Sequence, residues 1–325
     1  MKAEHLMRRV LYSLLAFMIS VSLTFVLLHL MPGDYLHSIL PYLAEKNPDA
    51  ARMFREQFGL NRSISEQYLL YMVNIIQGNW GYSFLYGLPV LAVIEEKLRW
   101  TLVILFPSTV LSIFIGMAVG AYSGWINGSK TDLSVLNFMI FVGAVPSYWW
   151  AMLLILIFGF HMNLFPLGGY ASIDALDVGV RISDVLRHAA LPITALTISS
   201  VPGTYYLMRN STLQTTGEEY VLTARSKGLR EMEILRHHAL KNAMLPMVTV
   251  IALELAQMIM GSVFVETIFS WPGLGLLTFE ALRVRDLPLL QGIFLMDTLM
   301  VILANIVADL SYPFIDPRVK VGESV

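Results

Sequence analysis

The chain has 325 residues, 56% of them hydrophobic and 14% charged, with a mean hydropathy of +0.63. Soluble domains carry about a quarter of their residues as charges, so this composition is that of a membrane protein. The net charge of −2 gives no basis for nucleic-acid binding, and the absence of cysteine excludes disulfide frameworks and thiolate metal sites.

Lys2, Arg8 and Arg9 precede an uncharged run from Val10 to Met31. That run is longer than a signal-peptide core, and Pro32-Gly33-Asp34 follows it in place of a small-residue cleavage site. It reads as a retained first span, so residues 1–31 form a tail and one transmembrane helix. Residues 32–99 read as a small external subdomain. Within it, Ser63 and Glu66 make a capping box for a helix over Ser63–Ile76, with Ile64, Tyr68, Tyr71, Met72 and Ile75 on one face. Gly78–Ser83 breaks that helix.

Further runs at Trp100–Ile126, Leu133–Phe160 and Ala189–Met208 are uncharged, and Ala243–Val265 and Leu287–Ala308 carry one acid each. Each meets the roughly 20 residues that a hydrocarbon core of about 30 Å requires. The periods are helical, so the expected class is all-α, with six transmembrane helices and no barrel. Residues 100–312 would hold five of the spans, and 313–325 a tail. Pro107, Pro146, Pro192 and Pro202 fall inside the spans, as bundle kinks or as marks of a substrate path.

With the N-terminus inside, twelve Lys and Arg fall on inner segments and four on the two short outer loops. The positive-inside rule therefore places both termini in the cytoplasm of a cell whose inner membrane the chain crosses.

The longest charged inner segment is Arg209–Pro246. Thr215 or Thr216 is positioned to cap a helix starting near Gly217, with Glu218 and Glu219 in its first turn. Gly228 is placed to end that helix, and Arg230–Asn242 reads as a second one, stopped by Pro246. The pattern is helix, glycine break, helix. Its competing readings are a docking knob and a basic helix lying on lipid.

Glu254 and Asp297 are the acids that fall at mid-membrane, where ionisable groups face the bundle interior or water. Glu254, Gln257 and Gly261 share one helical face. A path-lining role competes with simple hydrogen bonding in the bundle. The seven histidines are scattered, no metal or nucleophile arrangement stands out, and Gly124–Thr131 has the wrong spacing for a phosphate-binding loop. No chemistry is expected of the chain. Ser270–Gly275, after Glu266, reads as a compact turn between spans five and six, with Trp271 suited to the interface.

Taken in order, Leu30–Asp34, Phe58-Gly59-Leu60, Gly78–Ser83, Pro146–Trp149, Glu219–Gly228, Arg236–Pro246, Val265–Gly275, Asp309-Leu310 and Asp316-Pro317-Arg318 resemble the permeases of ABC importers. The likeness is to the dipeptide/oligopeptide/nickel group, whose cytoplasmic EAA loop matches Arg209–Pro246. The long segment after the first span is similar to that of the first, "B"-type permease of a pair. The resemblance implies a heterodimeric pore with a second permease, two cytoplasmic ATPase subunits that bind ATP and magnesium, and an external solute-binding protein. It implies no cofactor in this chain. Coupling roles fall on Glu219, Tyr220, Ala224, Arg225, Lys227, Gly228 and Leu229. The chain departs from the general motif at Leu222 and Lys241, where a Glu and a Pro are usual, and at Glu254 and Asp297. The expected solute is a small peptide, with nickel chelates or oligosaccharides as alternatives. A proton-driven transporter using Glu254 and Asp297 is the rival of another class, and inverted repeats would favour it.

Overall fold

A computed structural model describes residues 3–30, 52, 56, 61–172, 178–244, 247 and 263–315; residues 3–10, 178–180, 304 and 307–315 are described as backbone only. Helices dominate, and among the described residues the only strand-like pairing is one bridge between Tyr82 and Pro89. Helix α1 spans Ala3–His29 and α2 Ile64–Ile76, the latter with its full capping box on Ser63 and Glu66. A long α3 covers Val90–Trp125, α4 Lys130–Ala144 and α5 Ser147–Leu154, the last continuing as a π-helix over Ile155–His161.

Where they are described, the expected apolar runs fall on helices, and those helices differ from the runs in form. α3 begins ten residues before the apolar run, because Pro89 starts it directly from a hairpin in which Ser83 N–H donates to the Leu88 carbonyl and Val90 N–H to that of Gly81. The run Leu133–Phe160 is not one straight span: α4 and α5 meet at 92°. Pro146 causes this, since its ring excludes helical backbone at the preceding residue, and Val145 sits in extended conformation. Among the described residues two helices, α1 and α3, are individually long and apolar enough to cross a membrane, and the bent pair counts as a third candidate. Most of the expected span Ala243–Val265 lies outside the described residues.

Helix α6 runs 39 residues from Val178 to Thr216 through Pro192 and Pro202, and packs along α3 in the most extensive interface among the described helices. Small residues recur every fourth position on α3, at Ser108, Ser112, Gly116, Gly120 and Gly124, all buried. They let the two backbones touch: a Cβ on Gly120 would stand 2.6 Å from the Tyr205 carbonyl oxygen, and one on Gly124 2.7 Å from that of Arg209. In lipid, where apolar burial gives no drive between helices, such close approach is what holds a pair.

The remaining described helices are α7 (Glu219–Ser226), α8 (Glu231–Ile234, running through a π-turn at Leu235–Ala239), α9 (Val263–Ile268), α10 (Leu274–Val284) and α11 (Leu287–Ile315). α11 packs on α1, where Ser20 and Thr298 hydroxyls meet at 2.9 Å.

Between α9 and α10 the turn folds back onto the start of the apolar part of α3. Glu266 is fully buried there. One carboxylate oxygen accepts from the Thr101 hydroxyl at 2.9 Å, and the other from the N–H groups of Gly275 and Leu276 at 2.6 and 3.1 Å. It thereby satisfies the free donors at the start of α10. A Cβ on Gly275 would come within 2.9 Å of that carboxylate, which explains the glycine. Trp271 is not an interfacial anchor. It is fully buried, its indole N–H donates to the Trp100 carbonyl at 2.8 Å, and its ring meets the Trp100 ring edge-on.

Candidate functional site

The charged stretch begins inside a helix. α6 continues past the apolar run to Thr216, and the Thr215 and Thr216 hydroxyls donate back to the carbonyls of Thr212 and Leu213. Neither threonine caps the next helix, contrary to the expectation from sequence. The short hydroxyl arm reaches its own helix's i−3 carbonyl, a local bond that competes with capping. α7 instead starts from Glu218, whose side chain makes no cap bond, with Glu219 in the first turn where the helix dipole favours an acid.

After Lys227 the chain turns at Gly228, whose φ of +77° is open to glycine and strained for other residues. α8 then folds back against α7. The buried Val221, Ala224, Ile234, Leu235 and Ala239 form a small core of their own, with Trp125 from the end of α3 packed beneath it. Arg225 closes the turn: its guanidinium bonds both carboxylate oxygens of Glu231, at 2.9 and 3.1 Å, and lies 5.2 Å from the centre of the Trp125 ring. The Ser211 hydroxyl donates to the Ala243 carbonyl at 2.6 Å, tying the exit of the loop to its entrance.

The expected site residues divide by depth. Glu219, Arg225, Lys227 and Gly228 are exposed, Tyr220 and Leu229 are half-buried against the loop core, and Ala224 is buried within it. Leu222 is 52% exposed, so α7 presents an apolar side chain to its surroundings next to Glu219. Of the expected path residues, Glu254, Gln257 and Gly261 lie outside the described residues. Asp297 is half-buried on α11, with no hydrogen bond to any described residue.

At the foot of the loop sits a polar cluster that reading the sequence did not assemble. Asp132, at the start of α4, is fully buried. Its carboxylate accepts from Arg209 at 2.9 and 2.8 Å, from the Ser123 hydroxyl at 2.6 Å and from the Gly128 N–H at 3.0 Å. Arg209 also reaches Asn127, and Ser123 meets the Tyr205 hydroxyl at 2.7 Å. The guanidinium holds the Asp132 carboxyl well below the ordinary carboxylate range; burial opposes this, and the Ser123 and Gly128 donors assist. The cluster joins α3, α4 and α6 at the point where α6 leaves the glycine seam for the loop. Arg209 and Asp132 are 77 residues apart, so no local pattern pairs them. The repeated glycines at 116, 120 and 124 were the legible signal for the seam.

The described helices form a bundle of apolar helices bearing a self-packed helical loop. Two family models cover the chain: the binding-protein-dependent transport system inner membrane component over residues 112–321, and the corresponding N-terminal component over residues 2–105. The chain belongs to this family, and it is a transport permease and not an enzyme.

It is 33% identical to the oligopeptide transport system permease protein AppB of Bacillus subtilis over 98% of this chain and 99% of that protein. It is 32% identical to the dipeptide transport system permease protein DppB of Escherichia coli K12, over 92% and 93% of the two chains. Among solved structures, a chain of the MetNI methionine ABC transporter in inward-facing conformations matches with a TM-score of 0.54 and 17% identity, over 70% of this chain and 97% of that one. The motif likeness to the dipeptide/oligopeptide group thus extends along nearly the whole chain, and the fold is that of an ABC-importer permease.

Proposed function

We propose that the chain forms half of the pore of an ATP-driven importer of small peptides and that the α7–α8 loop docks a cytoplasmic ATPase subunit. The observation that carries this reading is the loop itself. It has its own core, is clamped to α3 and α6, and turns the first face of α7, with Glu219 and Leu222, away from the bundle. The names of the similar oligopeptide and dipeptide permeases support the choice of solute. In this reading six spans cross the inner membrane with both termini inside, a second permease completes the pore, and an external binding protein delivers the solute. ATP and magnesium stay on the ATPase subunits. A push on α7 reaches the spans because α6 is one continuous helix from the membrane to Thr216.

Two substitutions test the docking. Gly228→Pro places a residue confined to negative φ at +77° and unmakes the turn. Glu219→Lys reverses an exposed charge that no described contact uses. Both are expected to abolish peptide uptake and to lose the ATPase subunits when the tagged permease is pulled from detergent. Wild-type recovery of the ATPases with normal uptake in both variants would overturn the assignment.

A further inference from the structure

Helix α2 belongs to the segment that the sequence places wholly outside the membrane, yet none of its residues is buried in the fold. A helix of about a dozen residues is marginal in water; this one packs on α1 by one face only, and its other face meets a surface that the described residues do not supply. Its composition states what kind of surface that is. From Gln67 to Ile76 there is no charge, and Leu69, Leu70, Val73 and Ile76 are 64, 40, 48 and 81% exposed. The charges, Arg62 and Glu66, sit at its N-terminal end.

The contacts of the opposite face fix its depth. The Tyr68 hydroxyl meets that of Ser22 at 2.7 Å, and the Tyr68 and Tyr71 rings pack edge-on and stacked on Phe25. Gln67 meets the His29 ring at 3.1 Å. His29 ends the apolar span of α1, which runs from Leu11. Ser22 therefore lies about 10 Å further in along the helix, below the headgroups. Beside it, α1 exposes Ile19, Leu23 and Val26 at 65, 58 and 51%, the lipid-facing surface of a membrane span. Ser22, which Tyr68 of α2 touches, lies within four residues of each of them.

We infer that α2 is buried in the bilayer leaflet at the C-terminal end of α1, with Leu69, Val73 and Ile76 against acyl chains and Arg62 and Glu66 at the headgroups. A helix apolar beyond a charged end suits this placement. This inference needs only the membrane character of the family and is independent of the docking proposal above.

The chain has no cysteine, so single cysteines at Glu66, Leu69 and Val73 can carry spin labels in the complete transporter reconstituted in lipid nanodiscs. Leu23 serves as the lipid standard and Arg181, exposed and away from the α7–α8 loop, as the water standard. The expected result is that labels at 69 and 73 collide with oxygen as strongly as the label at 23 and lose collisions with a water-soluble nickel chelate to the same level, while the label at 66 keeps them. Nickel collisions at 69 and 73 equal to those at 181 would show a water-facing helix and overturn the inference. Protection from both quenchers would show a protein partner over the face and overturn it equally. Uptake by the same labelled complexes reports separately on the transport reading.

Discussion

Two fully buried carboxylates sit against α3, Asp132 near Trp125 where α3 meets α6 and Glu266 near Trp100 where the turn between α9 and α10 meets it, and the two are neutralised in different ways. Asp132 meets a guanidinium through two charge-assisted bonds, whereas among described residues Glu266 meets only a hydroxyl and two backbone N–H groups at the start of α10. A paired charge joins elements that can be pulled as a unit, because separating them would strand two ions. A carboxylate on a helix N-terminus fixes one helix start and its turn. The stronger joint stands at the foot of the loop, where force enters in the proposed function, and the weaker one shapes the opposite face.

Breaking the pair is the largest test of that difference. Asp132→Ala leaves the half-buried Arg209 without its partner, which costs about 3 kcal/mol, the low end of the range for breaking a buried pair. Adding Arg209→Met to it is expected to recover part of the loss, so a double-mutant cycle on the melting of the detergent-solubilised permease reads the coupling. If the joint transmits the push, Asp132→Asn complexes that still hold their ATPase subunits show reduced uptake per ATP hydrolysed. Unchanged coupling would return the cluster to a purely structural role.

At the other end, Glu266→Ala strands a hydroxyl and two N–H donors, at about 1–3 kcal/mol for each buried group left unpaired. Glu266→Gln keeps an oxygen for the two N–H groups and loses charge assistance, about 1 kcal/mol. The same melting measurement is expected to rank Ala well below Gln here, while ATPase attachment stays intact in both. Loss of attachment in Glu266→Gln would mean that the two ends are not separable.

The smallest expected effect is in pH, and it reads the same contrast by sign. Asp132 has a folded value below its ordinary 3.8, so its contribution is complete above that value and is lost as pH falls through the lower one. Asp286, held like Glu266 by a hydroxyl and N–H groups, has its value raised by burial against those donors. Its contribution is present at low pH and lost as pH rises through the folded value. Melting differences between wild type and Asp132→Asn are therefore expected to stay flat from pH 8 to 5 by this principle. Those for Asp286→Asn shift in favour of the wild type as the medium is acidified. Equal slopes would remove the distinction.

Apolar runs set the positions of α1, α3, α6 and α11, and the Ser63–Glu66 box set the start of α2, because these depend on hydropathy and on bonds within four residues. Gly228 was legible as a break for the same local reason. The motif likeness named the family before any contact was known. What only the tertiary structure decided involves partners distant in the chain: the burial of Trp271 under Trp100, the Arg209–Asp132 pair across 77 residues, and the failure of Thr215 and Thr216 to cap. Composition assigned residues 32–99 to one side of the membrane as a block. It could not see that the Tyr68 hydroxyl reaches Ser22, since depth in a bilayer is fixed by what a side chain touches and not by its place between two spans.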